Sequence, residues 1–190
     1  MSPETAWYVA RAGGLVAWAL LAAAVVAGLL LRTRTARSPA WVLDLHAWLG
    51  GLALTFSGVH VLALLADTWV DLGVVDVLVP FASPWRPVAT AWGVVALHLL
   101  VAVQATALAR RRLPPRLWRR VHGASLPALV LASVHAVTSG TDVGHPVVVV
   151  LSVVAAVPVV ALTALRVRHL SRRRAGQAPS TRPAATASAR

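Results

Sequence analysis

The chain has 190 residues, of which 58% are hydrophobic and 13% charged, with a mean hydropathy of +0.72; that is too apolar for a soluble domain of this size and reads as a polytopic membrane protein. It contains no cysteine, which excludes disulfides, thiolate-held iron–sulfur clusters and thiol catalysis. The formal net charge of +12 rests entirely on arginine, but the arginines lie between apolar blocks, as topology signals do, and this argues against a nucleic-acid partner.

Five apolar blocks reach bilayer length, at roughly 8–31, 41–66, 87–109, 118–139 and 146–165. Each is near the ~20 residues that cross a hydrocarbon core of about 30 Å. The expected fold is therefore all-α, a bundle of five transmembrane helices. The first block is too long for a signal peptide, lacks a small-residue cleavage site and is followed by "RTRTAR", so it reads as a retained helix. The connection 67–86 is half apolar and is expected to lie as a lid across one end. Trp41, Trp69, Trp85, Trp92 and Trp118 fall near helix ends, where amphipathic rings favour the interface. From about Ser171 the tail has no periodic apolar face and is expected to be disordered.

Arginine placement sets the expected orientation. With five spans, the connection 32–40, the segment 110–120 and the tail from Arg166 share one side and hold sixteen arginines; only Arg11 and Arg86 fall on the other. Five of the six acids, Glu4, Asp67, Asp71, Asp76 and Asp142, join those two. The amino terminus is thus expected outside and the carboxyl terminus in the cytoplasm of a multi-pass cell-membrane protein.

Seven histidines are present, and five lie in the second to fourth blocks. His46 and His60 are fourteen apart in "LHAWLGGLALTFSGVH". His122 and His135 are thirteen apart in "WRRVHGASLPALVLASVHAVTSGTD". Both helices run in the same direction, so His46 faces His122 at one depth and His60 faces His135 roughly 20 Å away. Two stacked haems, each held by one imidazole from each helix, are the chemistry that suits this arrangement. Gly50, Gly51, Gly58 and Gly123 offer small surfaces beside these positions. Simple hydrogen bonding between helices is the alternative. His98, at mid-depth on the third span, reads better as a hydrogen-bond partner than as a ligand, and His145 and His169 read as solvated.

The spacing raises a geometric demand. At ~100° per residue, fourteen steps fall about 40° short of four turns, whereas thirteen fall about 140° short. Pro127 lies between His122 and His135, and the fourth span is expected to bend or rewind near it.

The stretches "RLPPRLWRRVHGASLPALVLASVHAVTSGTD" and "GVHVLALLADTWVDLGVVDVLVPFASPWRP" resemble the ferric reductase-like transmembrane domain family over roughly residues 41–165. That family includes the haem-binding membrane subunit of the bacterial methionine sulfoxide reductase system and the membrane part of NADPH oxidases. The resemblance implies two b-type haems, with His46 and His122 as axial ligands of an inner haem and His60 and His135 of an outer one. Arg86, Arg119 and Arg120 are candidate contacts for the haem propionates. It also implies a division into an N-terminal helix and connection (1–40), a haem-binding four-helix domain (41–165) and a basic tail (166–190).

About twenty-five residues follow the fifth span, so no flavin and nicotinamide domain is expected in this chain. The expected role is an electron-transfer component of an oxidoreductase, embedded in lipid. It would be fed by a separate cytoplasmic flavin reductase or a quinol, with ferric iron or an exported redox protein as acceptor. A haem-free transporter or scaffold subunit is the rival from another class; the absence of Gly/Pro-broken repeat halves counts against it.

Overall fold

The computed structural model describes residues 3–33, 40–141 and 144–176. The expectations for Arg34, Arg37, Asp142, the tail beyond residue 176 and the His169 side chain lie outside the described residues. In chain order the helices are α1 (Pro3–Thr33), α2 (Ala40–Leu65), α3 (Val74–Leu78), α4 (Pro87–Leu108), α5 (Pro115–His122), α6 (Ser125–Ser139) and α7 (Pro146–Gly176). No strand occurs among the described residues. Proline opens α1, α4, α5 and α7, where its missing N–H has no helical acceptor to lose and its fixed φ already suits a helix.

Five helical segments are long and apolar enough to cross a bilayer: Glu4–Arg32, Ala40–Leu65, Pro87–Leu108, Pro115–Ser139 and Pro146–Arg168. The protein is a membrane protein, and its spans fall on the apolar blocks of the sequence. α7 continues to Gly176, past the Ser171 at which disorder was expected; arginine and alanine are strong helix formers, so the helix runs on after its apolar stripe ends.

The helices pack in two pairs. α2 lies along α1, and α6 lies along α4, while α7 leans on α1. α2 and α6 make almost no direct backbone approach to each other. Apolar burial gives little drive for helix association in lipid, so close packing of small residues must supply it. Ala6 of α1 and Ala53 of α2 are fully buried. At Gly13 the chains come so close that a Cβ would stand 3.3 Å from the His60 backbone nitrogen. A cluster of Leu21, Ala22, Val25, Leu29, Ala53, Leu100 and Leu129 fills the middle of the bundle, and Trp18 Nε1 donates to Ser133 Oγ at 2.9 Å across it.

The fourth span is interrupted at Gly123 and Ala124, between α5 and α6. Pro127 explains the position. It has no N–H for the Gly123 carbonyl, and its ring crowds that carbonyl. The chain tightens instead, with Ala124 N–H donating to Val121 O at 2.9 Å, a three-residue bond. The expected rewinding therefore occurs one turn before the proline.

The connection between α2 and α4 closes one end of the bundle. Leu72 and Val77 are buried, and Asp67 Oδ1 accepts the Trp69 N–H at 3.0 Å. Asp71, Phe81 and Arg86 adopt φ of 47°, 69° and 43°, sterically costly values for residues with side chains.

Candidate functional site

The two histidine pairs meet in the gap between α2 and the α5–α6 span. The His46 and His122 ring centroids are 5.8 Å apart, with planes at 73°. Those of His60 and His135 are 6.3 Å apart, also at 73°. The pairing expected from spacing is the pairing observed. Helix α2 brings His46 and His60 to one face because fourteen residues nearly complete four turns, and the joint at Gly123–Ala124 turns His122 toward the same gap as His135.

Three of the four rings are anchored to backbone. His46 Nδ1 lies 2.9 Å from Ala24 O, His60 Nδ1 2.6 Å from Ala10 O and His135 Nδ1 2.8 Å from Ala89 O. A carbonyl has no proton to give, so in each case Nδ1 carries the hydrogen and donates. That fixes the tautomer and leaves Nε2 as the nitrogen with a free lone pair.

His122 is held differently. Its ring stacks on Trp118, with centroids 5.1 Å apart and planes at 23°, and the Arg110 guanidinium stands 5.2 Å from the Trp118 ring centre. His122 Nδ1 and Trp118 Nε1 are both buried without a hydrogen-bond partner among the described residues.

A cavity of about 650 Å³ opens beside the second pair. Its lining includes His60, His135, Trp7, Arg11, Trp18 and Trp85. Val70, Leu72 and Val77 also line it, so the α2–α4 connection does form part of the wall at that end. The volume is in the range of ordinary cofactor pockets.

A haem iron fits these pairs. Two metal–imidazole bonds of about 2.0–2.1 Å, each extended by about 1.1 Å from nitrogen to ring centre, separate two axial rings by about 6.2–6.4 Å. The His60–His135 distance matches this range, and His46–His122 is a few tenths of an ångström shorter. The space between α2 and α6 and the free Nε2 atoms complete the fit. No cluster of three or more His, Asp or Glu residues that could hold a bare metal ion occurs among the described residues.

The remaining candidate residues are placed as follows. Arg119 and Arg120 are exposed near the end of α5. The Arg86 guanidinium donates to Thr138 O at 2.8 Å, tying the start of α4 to the end of α6, and Arg86 does not line the cavity. His98 is exposed on α4. Gly50 faces Gln104, whose Nε2 would stand 2.7 Å from a Cβ there, whereas Gly51 and Gly58 face open space.

The sequence reading passed over the residues that carry the anchors: Ala10, Ala24 and Ala89, and the cavity-lining Arg11. The signal was available in α1, where Ala10 and Ala24 are fourteen apart, the same interval as His46 and His60.

Neither the curated proteins nor the solved structures give a match to this chain. The family model described as ferric reductase like transmembrane component matches residues 13–133, more than half of the chain, from within α1 to within α6. With two facing histidine pairs set in a bundle of membrane-length helices, the chain belongs to the ferric reductase-like transmembrane component family.

Proposed function

We propose that the protein carries electrons across a membrane through two b-type haems, with His46 and His122 holding the inner one and His60 and His135 the outer. The observation that carries this reading is the pair of ring separations, 5.8 and 6.3 Å, at two depths of one gap. When bound, each haem would supply a one-electron carrier in a low-dielectric setting. The chain's own contribution is to present Nε2 lone pairs, three of them from fixed tautomers, to keep α2 and α6 apart, and to exclude water with the apolar cluster between the two depths.

The haem-binding unit of residues 41–165 is completed on this reading by α1, because its carbonyls anchor His46 and His60. Arg120 and Arg119, two and three residues before His122, would serve as partners for carboxylate groups at the inner site, and Arg11, which lines the outer cavity, would do so there. The distribution of arginines supports an outside amino terminus and a cytoplasmic carboxyl terminus in the cell membrane. Electrons would enter from a separate flavin reductase or a quinol and leave to ferric iron or an exported redox protein.

The test is an absorption spectrum with haem quantification on protein purified from haem-replete cells. Two b-type haems per chain are expected. His60→Ala and His135→Ala should each remove the same haem and spare the other. A folded but colourless preparation would falsify the reading.

A further inference from the structure

The three anchored imidazoles share one seat. Each Nδ1–H donates to an alanine carbonyl, and in each case the residue four places on is glycine: Ala10 and Gly14, Ala24 and Gly28, Ala89 and Gly93. In an α-helix the N–H of that fourth residue already bonds the same carbonyl, so the carbonyl serves both donors through its two lone pairs. The ring lies against the bare glycine. A Cβ on Gly93 would stand 2.8 Å from His135 Nδ1 and Cε1, one on Gly14 3.0 Å from His60 Nδ1, and one on Gly28 3.1 Å from His46 Cε1.

The fourth ligand has no such seat. His122 Nδ1 is the one buried ligand nitrogen without an acceptor among the described residues.

We infer that Gly14, Gly28 and Gly93 are positioning residues for the haem ligands, and that the lack of such a seat for His122 makes the two haem sites unequal. The inference rests on the haem reading above. The outer site then has two ligands with donated Nδ1–H bonds and the inner site has one. Such a bond makes the ligating Nε2 more basic and favours the ferric state, so each seat lowers the midpoint potential of its site.

The experiment is a redox titration with ferric low-spin electron paramagnetic resonance on the purified, haem-loaded chain. Gly93→Ala should raise the outer midpoint or release the outer haem, with Gly14→Ala acting in the same direction and less strongly. Gly28→Ala, at the seat of His46, should raise the inner midpoint and leave the outer one in place. Gly144→Ala, in the connection between α6 and α7 with nothing within 4 Å, should titrate as wild type. Should the glycine variants fail to fold, pulsed resonance on wild type reads the remote nitrogens directly. Two hydrogen-bonded remote nitrogens at one site and one at the other are expected; four alike overturn the proposal. Wild-type protein without haem removes the reading and the proposal together. Haem-loaded wild type whose Gly93→Ala and Gly28→Ala variants titrate unchanged overturns the seats alone.

Discussion

Replacing Pro127 with alanine tests whether the break in the fourth span serves the inner site. The residue intervals leave His122 about 100° out of phase with the face that the fourteen-residue interval gives α2. Winding at ~120° per residue rather than ~100° recovers about 60° over three residues, and the Ala124–Val121 bond marks that tightening. The change of axis between α5 and α6 supplies the remainder.

Alanine at 127 would restore a donor for the Gly123 carbonyl and remove a residue about 3 kcal/mol less favourable than alanine in a helix interior. A continuous helix would turn His122 by about 60–100°; at a radius of 5–6 Å its ring would move by about 5–9 Å. Against a separation of 5.8 Å, that opens the pair. The expected result for Pro127→Ala is a fall from two haems to one, with the lower-depth component lost from the titration and the His60–His135 site intact, since its Ala89–Gly93 seat lies beyond the joint. Amide exchange at Gly123 and Ala124 should slow as the helix closes. Two haems and an unchanged titration would refute the reasoning.

Three further outcomes are expected. Leu129→Ala should cost about 2–5 kcal/mol in unfolding measured in detergent, because Leu129 is 6% exposed within the central cluster. Arg86→Ala should cost less than about 1 kcal/mol and retain both haems, its exposed guanidinium holding the Thr138 carbonyl and standing 5.2 Å from the Trp85 ring centre; loss of the outer haem would reveal a propionate contact. Trp118→Phe should keep the stack on His122 while removing a buried N–H without an acceptor, raising the unfolding free energy by about 1 kcal/mol; a loss in the haem-loaded protein would mean that the indole gains a partner there.

Much of the architecture was legible because a bilayer leaves few choices. A membrane span must satisfy its backbone internally, so length and hydropathy alone specify helices. The pairing of His46 with His122 and His60 with His135 followed from interval and direction. The position of the break did not, because the sequence marks the proline while the strain falls on the carbonyl four residues earlier, at Gly123. The glycines that seat the rings were not legible from the histidine helices either. A ring leaning away from its own helix needs room on its neighbour, and Gly14, Gly28 and Gly93 provide it. Arg86 stands out in the sequence because it opposes the charge bias, but its left-handed backbone and its bond to the Thr138 carbonyl at the end of α6 leave no mark there.

On the proposed reading, helices that carry ligands for a flat group face a conflict, since packing them directly would close the gap that the group needs. The fold answers that conflict by giving each histidine helix its own scaffold. In the windows that cross the membrane, 39% of α1 residues and 33% of α4 residues are buried, against 11% for α2 and 11% for the α5–α6 span. The histidine helices are thus held from behind and left loose in front. Their orientation comes through the Nδ1 anchors rather than through contact with each other, so the geometry of the gap is stored in α1 and α4. A substitution on those two helices, remote from any Nε2, should therefore disturb the sites more than one on the lipid face of α2. The family match begins within α1, which agrees with that helix being part of the working unit rather than an appendage to it.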